Sequence, residues 1–349
     1  MGKLLKEFQE TVREKALDII WSQWAAVGVA TDFASCTGYV VDPEALMCAT
    51  ATFGRYNPRI FDEAIDWMAE NQKLVNVIRA KNVANNFREE TRAVLGAVFD
   101  YLSTEMGLRK YTSRNGFWRE HVPAEEKELF KVVGTGNREV PGGASEEFLR
   151  WMLVRGKVRT RGYSTGPDIY KPENLAFRLR WFFGVNARAE VIRFLMLNKD
   201  GNSSEVAKAV DQNQAQVHTV LNELVNSGLA KKYGKGREKL YSVERTTYQA
   251  FFGLSKPQKY LWWAGIFSAL EKVLYDEEDN PEWYRSEYLM SSRFRDLTEA
   301  VSTIFRDGGL KTDVPDMNRY RGEEYRPAFM DYVIETLGEL AGDTQKRRR

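Results

Sequence analysis

Between positions 203 and 239 the chain gathers side chains suited to hydrogen bonding and charge neutralisation rather than to covalent chemistry. They are Ser203, Ser204, Gln212, Asn213, Gln214, Gln216, His218, Thr219 and Asn222, then Lys231, Lys232, Lys235, Arg237 and Lys239. Gln and Asn amides pair bidentately with adenine in the major groove of double-stranded DNA, a threonine methyl meets thymine, and lysine or arginine neutralises phosphate. Spacing sorts these residues. Val217, Val220, Leu221 and Leu224 recur at i, i+3, i+4 and i+7, which turns one helix face to a core and leaves Gln214, Gln216, His218, Thr219 and Asn222 outward or on the flanks. From Lys231 to Lys239 five basic residues stand against the single acidic Glu238, on a chain whose formal net charge is only +2. Any attraction for polyanions must therefore come from this local patch.

Other chemistries are poorly provided for. His121 and His218 are the only histidines, and Cys36 and Cys48 stand in neither a CxxC nor a Cys/His spacing, so zinc sites and imidazole triads lack their parts. No GxxxxGK[ST] motif occurs, and Gly134-Thr-Gly136 is too short for a dinucleotide fingerprint. Asp276, Glu277, Glu278 and Asp279 lack EF-hand spacing and read as an acidic loop after a helix. The sequence therefore predicts no catalytic residue, metal or cofactor, and a chain that is not an enzyme.

The elements that must position the polar face are short and well punctuated. Ala189, Val191, Ile192, Leu195 and Met196 give a first helix, 187–197, its buried face, and Gly201 follows its end. Ser203 or Ser204 is expected to cap a short second helix at 205–210. A turn at 211–213 leads into the third helix, which Gly228 closes, and strands at 229–233 and 239–243 form a basic hairpin.

This segment, 186–245, resembles the winged helix-turn-helix domains of ArsR and MarR type, bacterial DNA-binding proteins in which a polar-x-Val-x-x-x-Leu-x-x-Leu helix runs into Ser-Gly-Leu and a basic wing. The corresponding residues are Gln216, Val217, Leu221, Leu224, Ser227, Gly228 and Leu229, then 231–241. The resemblance implies sequence-specific binding of double-stranded DNA, with the third helix in the major groove, the wing on flanking phosphates, and a homodimer acting in transcription regulation. No metal-binding cysteine pair lies near these helices, so a metal sensor is not implied. The alternative is a winged-helix adaptor, such as an antitoxin or defence-system subunit, that binds a partner protein.

The remainder reads as helical, making the class mainly α and multi-domain, with the β-hairpin wing as its main strand content. Amphipathic helices are expected over 4–29, 43–53, 58–71, 74–87 and 91–106, forming an N-terminal helical domain (1–140) that serves dimerisation or is a second helix-turn-helix-like bundle. A connector (141–185) carries the basic residues Arg155, Lys157, Arg159 and Arg161, read as a solvated loop or, less simply, a phosphate-reaching hairpin. A C-terminal helical region (246–349) has Leu261, Trp262, Ile266, Leu270 and Leu274 on its apolar face. The longest apolar run, 260–270, is too short to span a bilayer, and the N-terminus lacks the pattern of a signal peptide, so a cytoplasmic protein without a membrane partner is expected.

Overall fold

The computed structural model describes residues 2–36, 38–112, 116–131, 143–234, 238–254 and 258–341. The chain is mainly helical, as its periodicity predicts. α1 (Gly2–Ala26) is followed by α2 (Pro43–Phe53), α3 (Pro58–Glu70), α4 (Val77–Ala84) and α5 (Glu89–Thr104). Two of these starts follow directly from local chemistry. Asp42 and Asn57 each precede a proline, and their side chains accept the Ala45 and Ile60 N–H groups at 3.2 and 3.3 Å. Proline at the first helical position has no N–H to leave unsatisfied.

α2 is buried along its whole length and forms the axis of the larger core, with α1, α4 and α5 packed around it. The far end of the chain completes that core. After the short α6 (Glu146–Leu149), α7 (Leu175–Phe183), α8 (Ala187–Leu197), α9 (Ser203–Ala209), α10 (Gln214–Asn226) and α11 (Arg245–Phe251) come α12 (Trp263–Asp279), α13 (Glu287–Asp307) and α14 (Tyr325–Ala341). α12 lies against α2 and α14 against α1. Phe8, Phe294 and Phe329 meet with ring centroids 4.5 to 6.4 Å apart. The first and last regions of the sequence-based division thus share one apolar core, while most of 175–254 packs around a second.

Strands are few. β1 (Lys127–Glu128) pairs in parallel with β2 (Leu153–Val154). β3 (Gly201–Asn202), β4 (Lys231–Tyr233) and β5 (Leu240–Ser242) form an antiparallel sheet in the order β3-β5-β4. β3 is an addition to the expected hairpin.

Two charged segments differ in part from expectation. The basic stretch after Leu153 is a largely exposed loop at Lys157, Arg159 and Arg161, but it lies along α3 and its Arg155 is buried there. Arg155 pairs with Asp62 at 2.8 Å, Arg161 pairs with Glu63, and the Arg159 N–H donates to Asp62. The acidic run at 276–279 is the last turn of α12 rather than a loop, and Asp276 is buried, bound by Arg293 and Tyr284. The expected division between 140 and 141, and Gly134 and Gly136 before it, lie outside the described residues. Among the described residues no helix is long and apolar enough to cross a membrane, and no group of His, Cys, Asp or Glu could hold a metal ion.

Candidate nucleic-acid interface

α8, β3, α9, α10, β4 and β5 follow one another to build a three-helix unit edged by the three-stranded sheet. Each helix start is fixed by an asparagine. Asn186 caps α8 and Asn213 caps α10, accepting the Ala215 N–H at 2.9 Å. The cap of α9 is Asn202 rather than Ser203 or Ser204. Its Oδ1 accepts the Ser204 and Glu205 N–H groups at 3.0 Å, and Glu205 returns the bond to the Asn202 N–H at 2.9 Å. That reciprocal pair satisfies more donors than either serine would alone, which is why the helix begins at Ser203, two residues before the expected start at 205. Ser203 becomes its first, half-buried residue, and Ser204 is exposed.

In α10, Val217, Val220, Leu221 and Leu224 are buried against α8 and α9. Burying such side chains is worth about 1.5–3 kcal/mol each, more than the fraction of a kcal/mol that a β-branched residue costs in a helix. Packing therefore decides both the helix and its orientation. Asn213, Gln214, Gln216, His218 and Thr219 are exposed on the opposite side. The Thr219 hydroxyl is occupied by the Ala215 carbonyl at 3.0 Å, leaving the methyl for an external partner. Gly228, at φ +74°, ends the helix: its N–H donates to the Val225 carbonyl and that of Leu229 to the Leu224 carbonyl, a left-handed closure that glycine adopts without strain.

Asn222 has a different environment. It is half-buried, donates to the His218 carbonyl at 2.9 Å, and accepts from Lys232 Nζ at 3.1 Å and the Tyr241 hydroxyl at 3.4 Å. It therefore ties α10 to the sheet instead of standing free. Lys231 and Lys232 are exposed; Lys231 lies 4.0 Å from the equally exposed Glu244. A pair of that kind contributes roughly 0–1 kcal/mol, so the ammonium is not locked by it. Lys239 is half-buried and donates to the Gly234 carbonyl at 3.3 Å. Tyr233 donates to Asp200 at 2.5 Å, fastening β4 to the loop before β3. Lys235 and Arg237 lie outside the described residues. Gln212 is half-buried in the turn before α10.

Sequence reasoning missed what holds this unit in place. Arg79 of α4, Arg180 of α7 and Arg193 of α8 are buried with Asp42, Glu44, Glu190 and Asp211. Arg79 forks onto Asp42 with two bonds of 2.6 Å and reaches Glu44 at 2.7 Å. Arg180 binds Glu44 at 2.6 Å and Glu190 at 2.7 Å, while Arg193 bridges Asp42 and Glu190. The network joins the body helices to α7, α8 and the turn that carries Asp211. Burial alone would raise the pKa of Asp42, but Arg79 and Arg193 override it and hold the carboxyl well below its usual range. Glu190 is lowered in the same way, its burial outweighed by Arg180 and Arg193. Asp211 is the exception. Burial pushes it up to about 7, and Arg79, 3.4 Å away and engaged with Asp42, offsets only part of that. The available signal was a charge on an apolar helix face, as at Glu190 and Arg193 within 187–197.

Compared with protein-family models, with curated proteins and with solved structures, the chain finds no match in any of the three.

Proposed function

We propose that this protein binds double-stranded DNA sequence-specifically, with α10 entering the major groove and the hairpin from β4 to β5 lying on the flanking backbone, as a dimeric regulator of transcription. One observation carries the reading. The amide-rich side of α10 is open to solvent, while its apolar side is packed inside the chain. Gln214 and Gln216 have the donor and acceptor pairs that match adenine edges, and such a bidentate contact discriminates by about 1–3 kcal/mol. Lys231 and Lys232 are exposed on β4, where Lys232 reaches Asn222 two turns further along α10; among the described residues Lys231 has only a 4.0 Å pair with Glu244 and Lys232 has no acidic partner.

A second observation supports the dimer. Trp181 and Phe182 at the end of α7 and Phe251 of α11 are each at least 60 % exposed, with Phe182 and Phe251 rings 5.6 Å apart. One recognition helix covers only a few base pairs, so paired half-sites need a second protomer. The occupant we assign to this aromatic face is a second copy of the chain, in a two-fold arrangement that stacks the patch on itself. An adaptor that uses the same face for a partner protein is the competing reading.

Selection from a pool of random duplexes tests the function. The full chain should enrich a defined sequence, and the Gln214→Ala, Gln216→Ala double variant should lose that enrichment while folding normally. Recovery of random sequence by both proteins would remove the specific-readout reading.

A further inference from the structure

A cleft of about 550 Å³ lies between the C-terminal end of α4 and the turn that precedes α10. Asn82, Asn85 and Asn86 line one side, and Ser204, Gln212 and Gln214 the other. The two walls belong to different parts of the molecule, the helical body and the three-helix unit. They are held in register at the base, where the Asn82 amide donates to the Asp211 carbonyl and the Asn86 amide to the Asp211 carboxylate, both at 3.1 Å. At the mouth the groups are unspent. Asn85 and Ser204 are exposed, and neither makes a side-chain hydrogen bond to the described residues.

Of the charges facing the cleft, Lys208 is paired with Asp307 at 2.8 Å, and the Asp211 carboxyl, whose pKa is pushed up by burial and only partly offset by Arg79 at 3.4 Å, accepts from the Asn86 amide. A cleft that is close to neutral, with amides and a hydroxyl on both walls, matches a strand of sugar and phosphate, whose oxygens take hydrogen bonds from Asn, Gln and Ser side chains. Its far wall is continuous with Gln214, the first residue of α10. A duplex engaged by α10 must carry one of its strands past that end of the helix.

We propose that the cleft seats the DNA backbone flanking the groove that α10 enters, so that Asn85 of the helical body extends the footprint beyond the winged unit. This rests on the DNA-binding reading above. Its partner is the sugar–phosphate strand, and its contribution is positional rather than base-specific.

The test is a pair of charge changes at Asn85, an exposed residue at a helix end where neither change disturbs packing. Full-length wild type, Asn85→Lys and Asn85→Glu are titrated with the selected duplex at several salt concentrations and footprinted with hydroxyl radicals. Asn85→Lys should bind several-fold tighter at low salt, with the log K against log salt slope steeper by about 0.9, the value for one added phosphate contact. Asn85→Glu should bind several-fold more weakly and lose protection of the flanking sugars while keeping it over the central groove. If wild type binds and both variants match it in affinity, slope and footprint, the cleft assignment is overturned and the DNA reading stands. If wild type binds no duplex, both fall.

Discussion

Arg79 and Asp211 connect the helical body to the turn that aims α10. Arg79 donates to the Val210 carbonyl at 2.8 Å and faces the Asp211 carboxylate at 3.4 Å, and Asp211 itself sits at φ +50°. A non-glycine residue in the left-handed region is strained, though aspartate tolerates it better than most. The same residue accepts from Asn86 and Trp262, so its conformation is over-determined by bonds from α4, the following loop and the start of α12. The angle of the proposed recognition helix is therefore set by the body and not by the three-helix unit alone.

Removing one member of the buried network should cost far more than removing a surface pair. Arg180→Met leaves Glu44 and Glu190 each short of a guanidinium inside the protein. The expected loss is roughly 3–5 kcal/mol of stability, read by urea unfolding. Arg188→Met, which breaks only the exposed pair with Glu223, should cost under about 1 kcal/mol. Equal losses for the two variants would contradict the role given to the network.

The Asp211 carboxyl makes a signed prediction about pH. Its folded pKa of about 7 lies above the ordinary carboxylate value, so between those two values the folded chain holds a proton that the unfolded chain has lost. That contribution to stability is complete below the unfolded value and disappears as pH rises through 7. Asp42 and Glu190, both lowered, act in the opposite sense and lose their contribution as pH falls. Asp211→Asn isolates the first effect. Its stability relative to wild type should be greater at pH 8 than at pH 5, by chemical unfolding at both; a difference independent of pH would show that Asp211 does not titrate in this window.

The aromatic face predicts an association. Wild type should show a concentration-dependent dimer in sedimentation equilibrium. Trp181→Ser with Phe251→Ser should shift it to monomer while leaving the helical circular dichroism unchanged, because both rings are largely exposed, and should remove the concentration dependence of the melting temperature. A wild type that stays monomeric at every concentration would remove the self-association reading.

What the sequence revealed and what it hid follow from the range of the interactions. Helices at 43–53 and 58–71 were legible because their starts are local: Asp42 and Asn57 cap N–H groups only three residues on. The valines and leucines of α10 fixed its inward face by period alone. β3 has only two residues, too few for alternation to register, and its pairing with β5 spans about forty positions. The shared core of α1, α2, α12 and α14 was hidden for a similar reason: an amphipathic face shows that a partner exists but not which one. Asn202 and the adjacent serines are all good caps, and only the returning bond from Glu205 decides among them. Asn222 looked available on the helix face because its bonds to Lys232 and Tyr241 come from the sheet.

The most direct measurement is a titration of the full chain with its selected duplex at several salt concentrations, comparing wild type with Lys231→Ala, Lys232→Ala. Wild type should bind with a steep loss of affinity as salt rises, and the variant's log K against log salt slope should be shallower by about 2, one phosphate contact for each lysine removed. A variant that binds as tightly as wild type with the same slope, or a wild type that binds no duplex, would contradict the account.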